Sequence, residues 1–265
     1  MMLKKIARTM AYIGSIITGF YLFTSAPGFH KREKWQHLTG WDYAHRGLHD
    51  NEHGIPENSM AAFQRAVDKG YGIELDVHLT ADNQLVVFHD DTLTRMCGIN
   101  KKISGFLYSY LQQLRLLGTG EGIPLFKDVL ALVDGKVPLI IELKVDGSNQ
   151  NLLCPLVWQL LSGYKGSYCI ESFHPFVLQW FKRHQPQVVR GQLSCNFFKE
   201  NPHCDIVLFL MSNLMTNFFT HPDFIAYKYL DLKNPAVIYN RKLFRIMTVV
   251  WTIPGKPTYD RFKGK

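Results

Sequence analysis

The chain has 265 residues, 46% hydrophobic and 20% charged, which is ample for a buried core and argues against both a disordered chain and a disulfide-stapled mini-protein. The net charge is +8, but residues 1–36 alone hold Lys4, Lys5, Arg8, Lys31, Arg32 and Lys34 against Glu33, so the main domain has no strong basic excess and no nucleic-acid partner is expected. The five cysteines (Cys97, Cys154, Cys169, Cys195 and Cys204) include no Cys-x-x-Cys pair, which argues against a thiolate metal site and, by the odd count, leans towards a reducing compartment.

Residues 9–26 carry no charge. As a helix they would span ~27 Å, close to the hydrocarbon thickness of a bilayer. A cleaved signal peptide fits less well, because Pro27 directly follows the small residues Thr24-Ser25-Ala26. The reading is therefore a single-pass membrane anchor over 1–26, followed by a polar tether over 27–40 and a main domain over 41–265. The basic start leans towards an extracytoplasmic main domain, although Lys31, Arg32 and Lys34 flank the other end almost equally.

From Trp41 the chain reads as WDYAH (a strand), a Gly/Asn/Pro-rich loop, and the helix MAAFQRAVDK, capped by Asn58 or Ser59 and closed by Gly70. GIELDVHLT and QLVVFHD are strands joined by a tight turn at Ala81-Asp82-Asn83. FKDVLALV is a helix, VPLIIELKV a strand, NLLCPLVWQLL a helix and YCIESF a strand. PFVLQWFKRH (helix), VVRGQLS (strand), SNLMTNFF (helix), FIAYKYL (strand), PAVIYNRKLF (helix) and IMTVVWT (strand) complete the pattern. Strand and helix alternate almost throughout, which predicts an α/β fold, most simply a TIM-type (β/α) barrel.

The alternation of IELDVHL turns Glu74, Asp76 and His78 to one face of a strand. Adjacent carboxylates are costly unless they share a cation. Glu142 and Lys144 form a second charged pair within an apolar strand, where isolated charges are expensive to bury. At strand ends of a barrel these pairs predict a site at the C-terminal face. Three carboxylates suit one hard divalent cation, Mg²⁺ or Ca²⁺. His45 and His89 end two strands and suit proton transfer near neutral pH. Arg46 and Lys144 offer fixed positive charge to a phosphoryl group, and Gly47 offers close backbone approach to a ligand. His49, Glu52 and His53 read first as a solvated loop, and Glu171 as either a structural ion pair or a site residue.

Together, AHRG (44–47), PENS (56–59), IELDVHLT (73–80), VVFHD (86–90) and IELK (141–144) resemble the glycerophosphodiester phosphodiesterase family, in order and spacing from Trp41 to about Trp251. The resemblance implies a TIM barrel with a small excursion after the second strand. It places His45 and His89 on the family's acid/base pair, and Glu74, Asp76 and Glu142 on its metal ligands. Arg46 and Lys144 fall on phosphate contacts, Phe173 and Trp251 on aromatic positions of the substrate cleft. The implied reaction is metal-dependent hydrolysis of glycerophosphodiesters to glycerol 3-phosphate and an alcohol.

The pattern departs at the end. Only Ile253 to Lys265 follow Trp251-Thr252, and Pro254 replaces a usual Asn. Seven barrel strands are countable, so the last strand and helix are expected to be missing. Two alternatives stand beside hydrolysis of deacylated head groups: a lysophospholipase-D-like activity on lysophospholipids at the membrane, and a non-catalytic binding role for a shortened family member.

Overall fold

The structure is a computed structural model that describes residues 2–28, 32–199 and 205–263; Lys31 and Cys204, named above, lie outside them. The apolar helix α1 (Met2–Ser25) comes first. β1 (Tyr43–His45), α2 (Met60–Asp68), β2 (Gly72–Leu79) and β3 (Leu85–Val87) follow. The excursion after β3 carries two single-turn helices, α3 (Thr94–Cys97) and α4 (Tyr108–Leu111), before α5 (Phe126–Val133). Then come β4 (Leu139–Leu143), α6 (Gln150–Leu161), β5 (Tyr168–Ser172), α7 (Pro175–His184) and β6 (Arg190–Ser194). The chain continues with α8 (Ile206–Ser212), α9 (Asn217–Thr220), β7 (Phe224–Lys228), α10 (Pro235–Lys242), β8 (Met247–Trp251) and α11 (Gly255–Phe262). Two compact units divide it: Lys31–Arg190, and Met1–His30 with Gly191–Lys265.

In the first of these, β1, β2, β4 and β5 pair in parallel, with β3 antiparallel to β2. β2 is buried along its whole length. Its odd residues Ile73, Leu75 and Val77 share a core with Phe63 and Ala66 of α2, Phe126 and Val129 of α5, and Ile141 of β4. That leaves Glu74, Asp76 and His78 on the opposite face, as the period-2 geometry of a strand requires. Helix α2 forms because Ala62, Phe63 and Ala66 recur at helical spacing and all three are buried. Ser59 caps it, its hydroxyl accepting from the Ala62 amide at 3.2 Å. Asn58 does something else, described below. Gly70 ends the helix with φ 70°. The excursion closes over a small cluster of its own, around Phe88, Leu93, Met96, Ile103 and Leu116. Residues read as tether contain the 3-10 turns Arg32–Lys34 and Gln36–Leu38; Leu38 is buried, and its carbonyl accepts from Tyr43 Oη at 2.8 Å.

In the other unit β6, β7 and β8 are parallel neighbours. Gly191 stands opposite Phe224, and a Cβ there would come within 2.2 Å of that ring, so the pairing needs glycine. Leu214, Ile225, Tyr227, Val237 and Ile246 form the local core, with Tyr21 of α1 packed on it. α1 is exposed over most of its length, and only its end is buried. The Ser25 carbonyl accepts from Asn217 Nδ2 at 2.9 Å and Asn240 Nδ2 at 3.0 Å, while Tyr21 Oη donates to Asn213 Oδ1 at 3.0 Å. α1 is long and apolar enough to cross a membrane, a property that a signal sequence shares. The helix expected over 212–219 is instead the pair α8 and α9, broken at Leu214, whose φ is 55°. Seven strands in parallel pairings lie among the described residues, as counted from the sequence, and α11 follows the last of them. Cys154, Cys169 and Cys195 are buried, and Cys97 and Cys154 are free thiols.

Candidate active site

The parallel register brings the charged pairs together. Glu74 lies beside His45 across β1–β2, and Asp76 lies beside Glu142 across β2–β4. Oxygens of Glu74, Asp76 and Glu142 all lie within 4.8 Å of one another, on side chains that are buried. Lys144 Nζ stands 3.0 Å from Asp76 Oδ1 and 2.7 Å from Glu142 Oε1. Asn58 Nδ2 donates to Asp76 Oδ2 at 2.9 Å, so this half of the expected capping pair serves the acidic cluster. Asn58 reaches it from a left-handed turn, at φ 54°.

Arg46 follows β1 in a left-handed conformation, φ 58°, a strained position for a residue with a side chain. The strain has a return. Its amide donates to Glu74 Oε2 at 2.9 Å, while its guanidinium lies 2.8 Å from Glu57 Oε1 and 3.6 Å from Asp76 Oδ2. Gly47 is next, at φ 80°, and a Cβ there would lie 2.9 Å from Ala62 Cβ. The close approach at Gly47 seen here is to helix α2.

His45 Nε2 lies 3.8 Å from Glu74 Oε2. Burial and the Arg46 charge push its pKa down to about 4, so the ring is neutral near pH 7. His89 lies beyond the end of β3 and not within it. Its Nδ1 meets Asp90 Oδ1 at 2.6 Å, an arrangement that directs the lone pair of a neutral ring to Nε2. Burial lowers the His89 pKa too, and the Asp76 carboxylate opposes the shift. His78, on the carboxylate face by alternation, is buried with Nε2 3.2 Å from the His89 carbonyl, so it supports the loop and does not enter the acidic cluster.

Sequence reasoning passed over a clamp. Arg95, from the excursion, donates Nε to Asp90 Oδ2 at 2.8 Å and Nη2 to Glu57 Oε1 at 2.7 Å. Glu57 thus sits between Arg95 and Arg46, and its pKa is about 2: burial pushes it up, and the two guanidiniums more than reverse that. The pattern Pro56-Glu57-Asn58 was the available signal, but nothing local links it to Arg95, 38 positions away.

The cluster has more acid than base. Burial, then the neighbouring Asp76 charge, raises the Glu74 pKa well above its usual range. Burial raises Glu142 to about 7, with Lys144 opposing. Asp76 falls below the usual range: burial resists, and Lys144, His89 and Arg46 overcome it. Lys144 is raised, because Asp76 and Glu142 outweigh its burial. Glu171, opposite Glu142 in β5, is buried with Oε2 lacking a hydrogen bond, and burial raises its pKa well above normal. Asp76 Oδ1, also buried, has no hydrogen bond beyond its ion pair with Lys144. Buried carboxylate oxygens that lack donors and repel one another fit a hard divalent cation.

Phe173 follows the C-terminal end of β5, half-buried. Trp251 ends β8 opposite Lys228, in the other unit. His53 is exposed and pairs with Asp50 at 2.8 Å, and Glu52 is exposed beside it. His49 is half-buried and faces the charges of Glu57 and Arg46.

The family model of the glycerophosphoryl diester phosphodiesterase family matches residues 45–196, more than half of the chain. The chain belongs to that family. The matched span contains the candidate residues His45, Arg46, Glu74, Asp76, His89, Glu142, Lys144 and Phe173, and ends before Trp251. A glycerophosphodiester phosphodiesterase of Caldanaerobacter subterraneus subsp. tengcongensis is 40% identical over 163 residues, 57% of this chain and 65% of its own. Rat lysophospholipase D GDPD1 is 36% identical over 165 residues, 57% of this chain and 50% of its own. The chain thus spans about half the length of the curated relatives it matches. An Oleispira antarctica phosphodiesterase solved with its product sn-glycerol-3-phosphate superposes with a TM-score of 0.69 at 20% identity, covering 86% of this chain and 90% of that one. A Parabacteroides distasonis glycerophosphodiester phosphodiesterase reaches 0.64 at 27% identity, covering 83% and 87%. The TIM-type (β/α) fold expected from the alternation is the fold of the chain.

Proposed function

We propose that this family member hydrolyses glycerophosphodiesters to glycerol 3-phosphate and an alcohol, with His45 and His89 as the acid/base pair. The observation that carries the reading is the buried trio Glu74, Asp76 and Glu142, with oxygens within 4.8 Å of one another beside His45 and Lys144. These three would hold one divalent cation, Mg²⁺ or Ca²⁺. When bound, such an ion would supply Lewis-acid charge that offsets the anionic substrate.

The protein's own groups do the rest. Arg46 and Lys144 offset the charge of the phosphodiester as it becomes more anionic. One histidine takes the proton of the attacking oxygen as the new P–O bond forms. The other enters the step as imidazolium, paired with the bound phosphodiester anion, and gives its proton to the departing alkoxide as the old P–O bond breaks, so that it leaves as a neutral alcohol. Phe173 is proposed to line the substrate cleft.

α1 is proposed to anchor the chain in a membrane through residues 9–26, with the basic N-terminal end cytoplasmic. That reading favours a second substrate class, lysophospholipids, for which the exposed apolar face of α1 and the kinship with a lysophospholipase D speak.

The test is phosphate-ester release by the full chain in lipid vesicles, from glycerophosphocholine and lysophosphatidylcholine, with Mg²⁺, Ca²⁺ or a chelator. Release that requires cation, His45 and Glu74 supports hydrolysis, and the preferred substrate separates the two readings. A folded protein that binds cation and releases nothing from either would leave the non-catalytic binding role. Protease protection of sealed vesicles reports the side.

A further inference from the structure

Between the last turns of α1 and the α8–α9 segment lies an apolar cavity of about 280 Å³, lined by Phe20, Phe23, Leu210, Met215 and Phe219 among others. We propose that it holds one acyl chain of a membrane lipid. This rests on the reading of α1 as a membrane segment.

Four observations point to that occupant. First, one wall is α1 itself, whose most apolar 18-residue stretch is wholly exposed, so the cavity adjoins the surface that a bilayer would cover. Second, the opposite wall belongs to an uncharged run, residues 206–219. Leu214 and Met215 of this run are buried, while Ile206 is 68% exposed, Val207 55% and Phe218 45%. Third, the polar group of the α1 wall is already used, because Thr24 Oγ1 donates to the Phe20 carbonyl at 2.9 Å; water entering there would find few partners. Fourth, the walls are fixed to each other. Asn217 and Asn240 hold the Ser25 carbonyl, and Tyr21 holds Asn213.

Hydrocarbon gains little by leaving one apolar surroundings for another. The drive is the void itself: wall atoms facing empty space forfeit dispersion contacts, and a flexible chain restores them. The volume lies near the lower limit for ligand pockets. It suits a stretch of one chain and not a whole phospholipid. A chain seated there would clamp α8–α9 to the bilayer beside α1, holding this unit against the membrane surface.

The experiment uses the full chain in phosphatidylcholine vesicles in which one acyl chain carries a photoactivatable diazirine. After irradiation, adducts are mapped by mass spectrometry. Adducts are expected on Leu210, Met215 or Phe219, as well as on Ile13, Ile16 and Ile17 of the exposed α1 face. Met215→Trp fills the cavity and should reduce labelling at Leu210 and Phe219 several-fold while sparing Ile13, Ile16 and Ile17 of the exposed α1 face; Thr216→Phe, also in the lining, should act in the same direction. Labelling of α1 without labelling of the cavity overturns the proposal and leaves the anchor standing. Labelling at neither place overturns both. Cavity labelling undiminished in both filled variants overturns the specific seat.

Discussion

The two units differ in how much charge they bury. Residues 31–190 bury charge: Glu57, Glu74, Asp76, Glu142 and Glu171 are at most 8% exposed, and a large apolar core is covered by helices on the other face of the same strands. The unit made of Met1–His30 and Gly191–Lys265 buries mainly neutral groups, Ser25, Asn217, Thr220 and Asn240 among them, with the carboxylates Asp223 and Asp231, the latter paired with Lys199, and leaves Ile206, Val207 and Phe218 outside. The difference lies in how each debt of desolvation is settled. An amide meets a carbonyl and the account closes at once. Buried carboxylates that outnumber their cationic partners stay unsettled, and this is the basis on which a metal ion is proposed there.

The comparison can be broken most severely at the histidines. His45→Ala and His89→Ala should each lower kcat by about 10²–10⁴-fold with the melting curve little changed, read by coupled release of glycerol 3-phosphate. Equal activity in either variant would remove that residue from the chemistry. Next comes the cation. If the trio binds Mg²⁺ or Ca²⁺ only when folded, saturation at a hundred times Kd should stabilise the protein by about 2.7 kcal/mol. Glu74→Gln should abolish that rise in melting temperature, and a rise that survives would place the ion elsewhere.

The neutral buried groups are tested at Ser25. Asn217→Ala or Asn240→Ala leaves the carbonyl one donor, so each single change should cost about 1 kcal/mol, while the double change strands a buried acceptor and should cost more than the two together. Urea melts of the four proteins in detergent give the coupling. The smallest effect is at Glu57. Its pKa is held at about 2 in the folded state, below its value of 4.5 in a free chain, so its contribution is fully present above pH 4.5 and is lost as pH falls towards 2. Glu57→Gln should flatten stability against pH across that window; an unchanged slope would mean that the Arg46 and Arg95 contacts do not stabilise the fold.

Much of the site was legible before any fold was drawn, for local reasons. Alternation in IELDVHL turned Glu74 and Asp76 to one face, and charges inside LIIELK were too costly to be incidental. The same local logic left a choice open, or erred, where two outcomes compete within a few residues. Asn58 and Ser59 are both good caps, and Ser59 took the helix while Asn58 turned to Asp76. SNLMTNFF has helical apolar spacing, yet the backbone breaks at Leu214.

By itself, then, the sequence determined the alternating strands and helices, the family, the uncharged stretch at the start and which side chains share a strand face, because periodicity and composition act over a few residues. Only the tertiary structure decided that Asp76 lies beside Glu142, that Arg95 closes on Glu57 across 38 positions and that the end of α1 is held by Asn217 and Asn240. Those contacts depend on strand register and helix packing, which are set by the burial of a whole core, and no short window of residues contains that information.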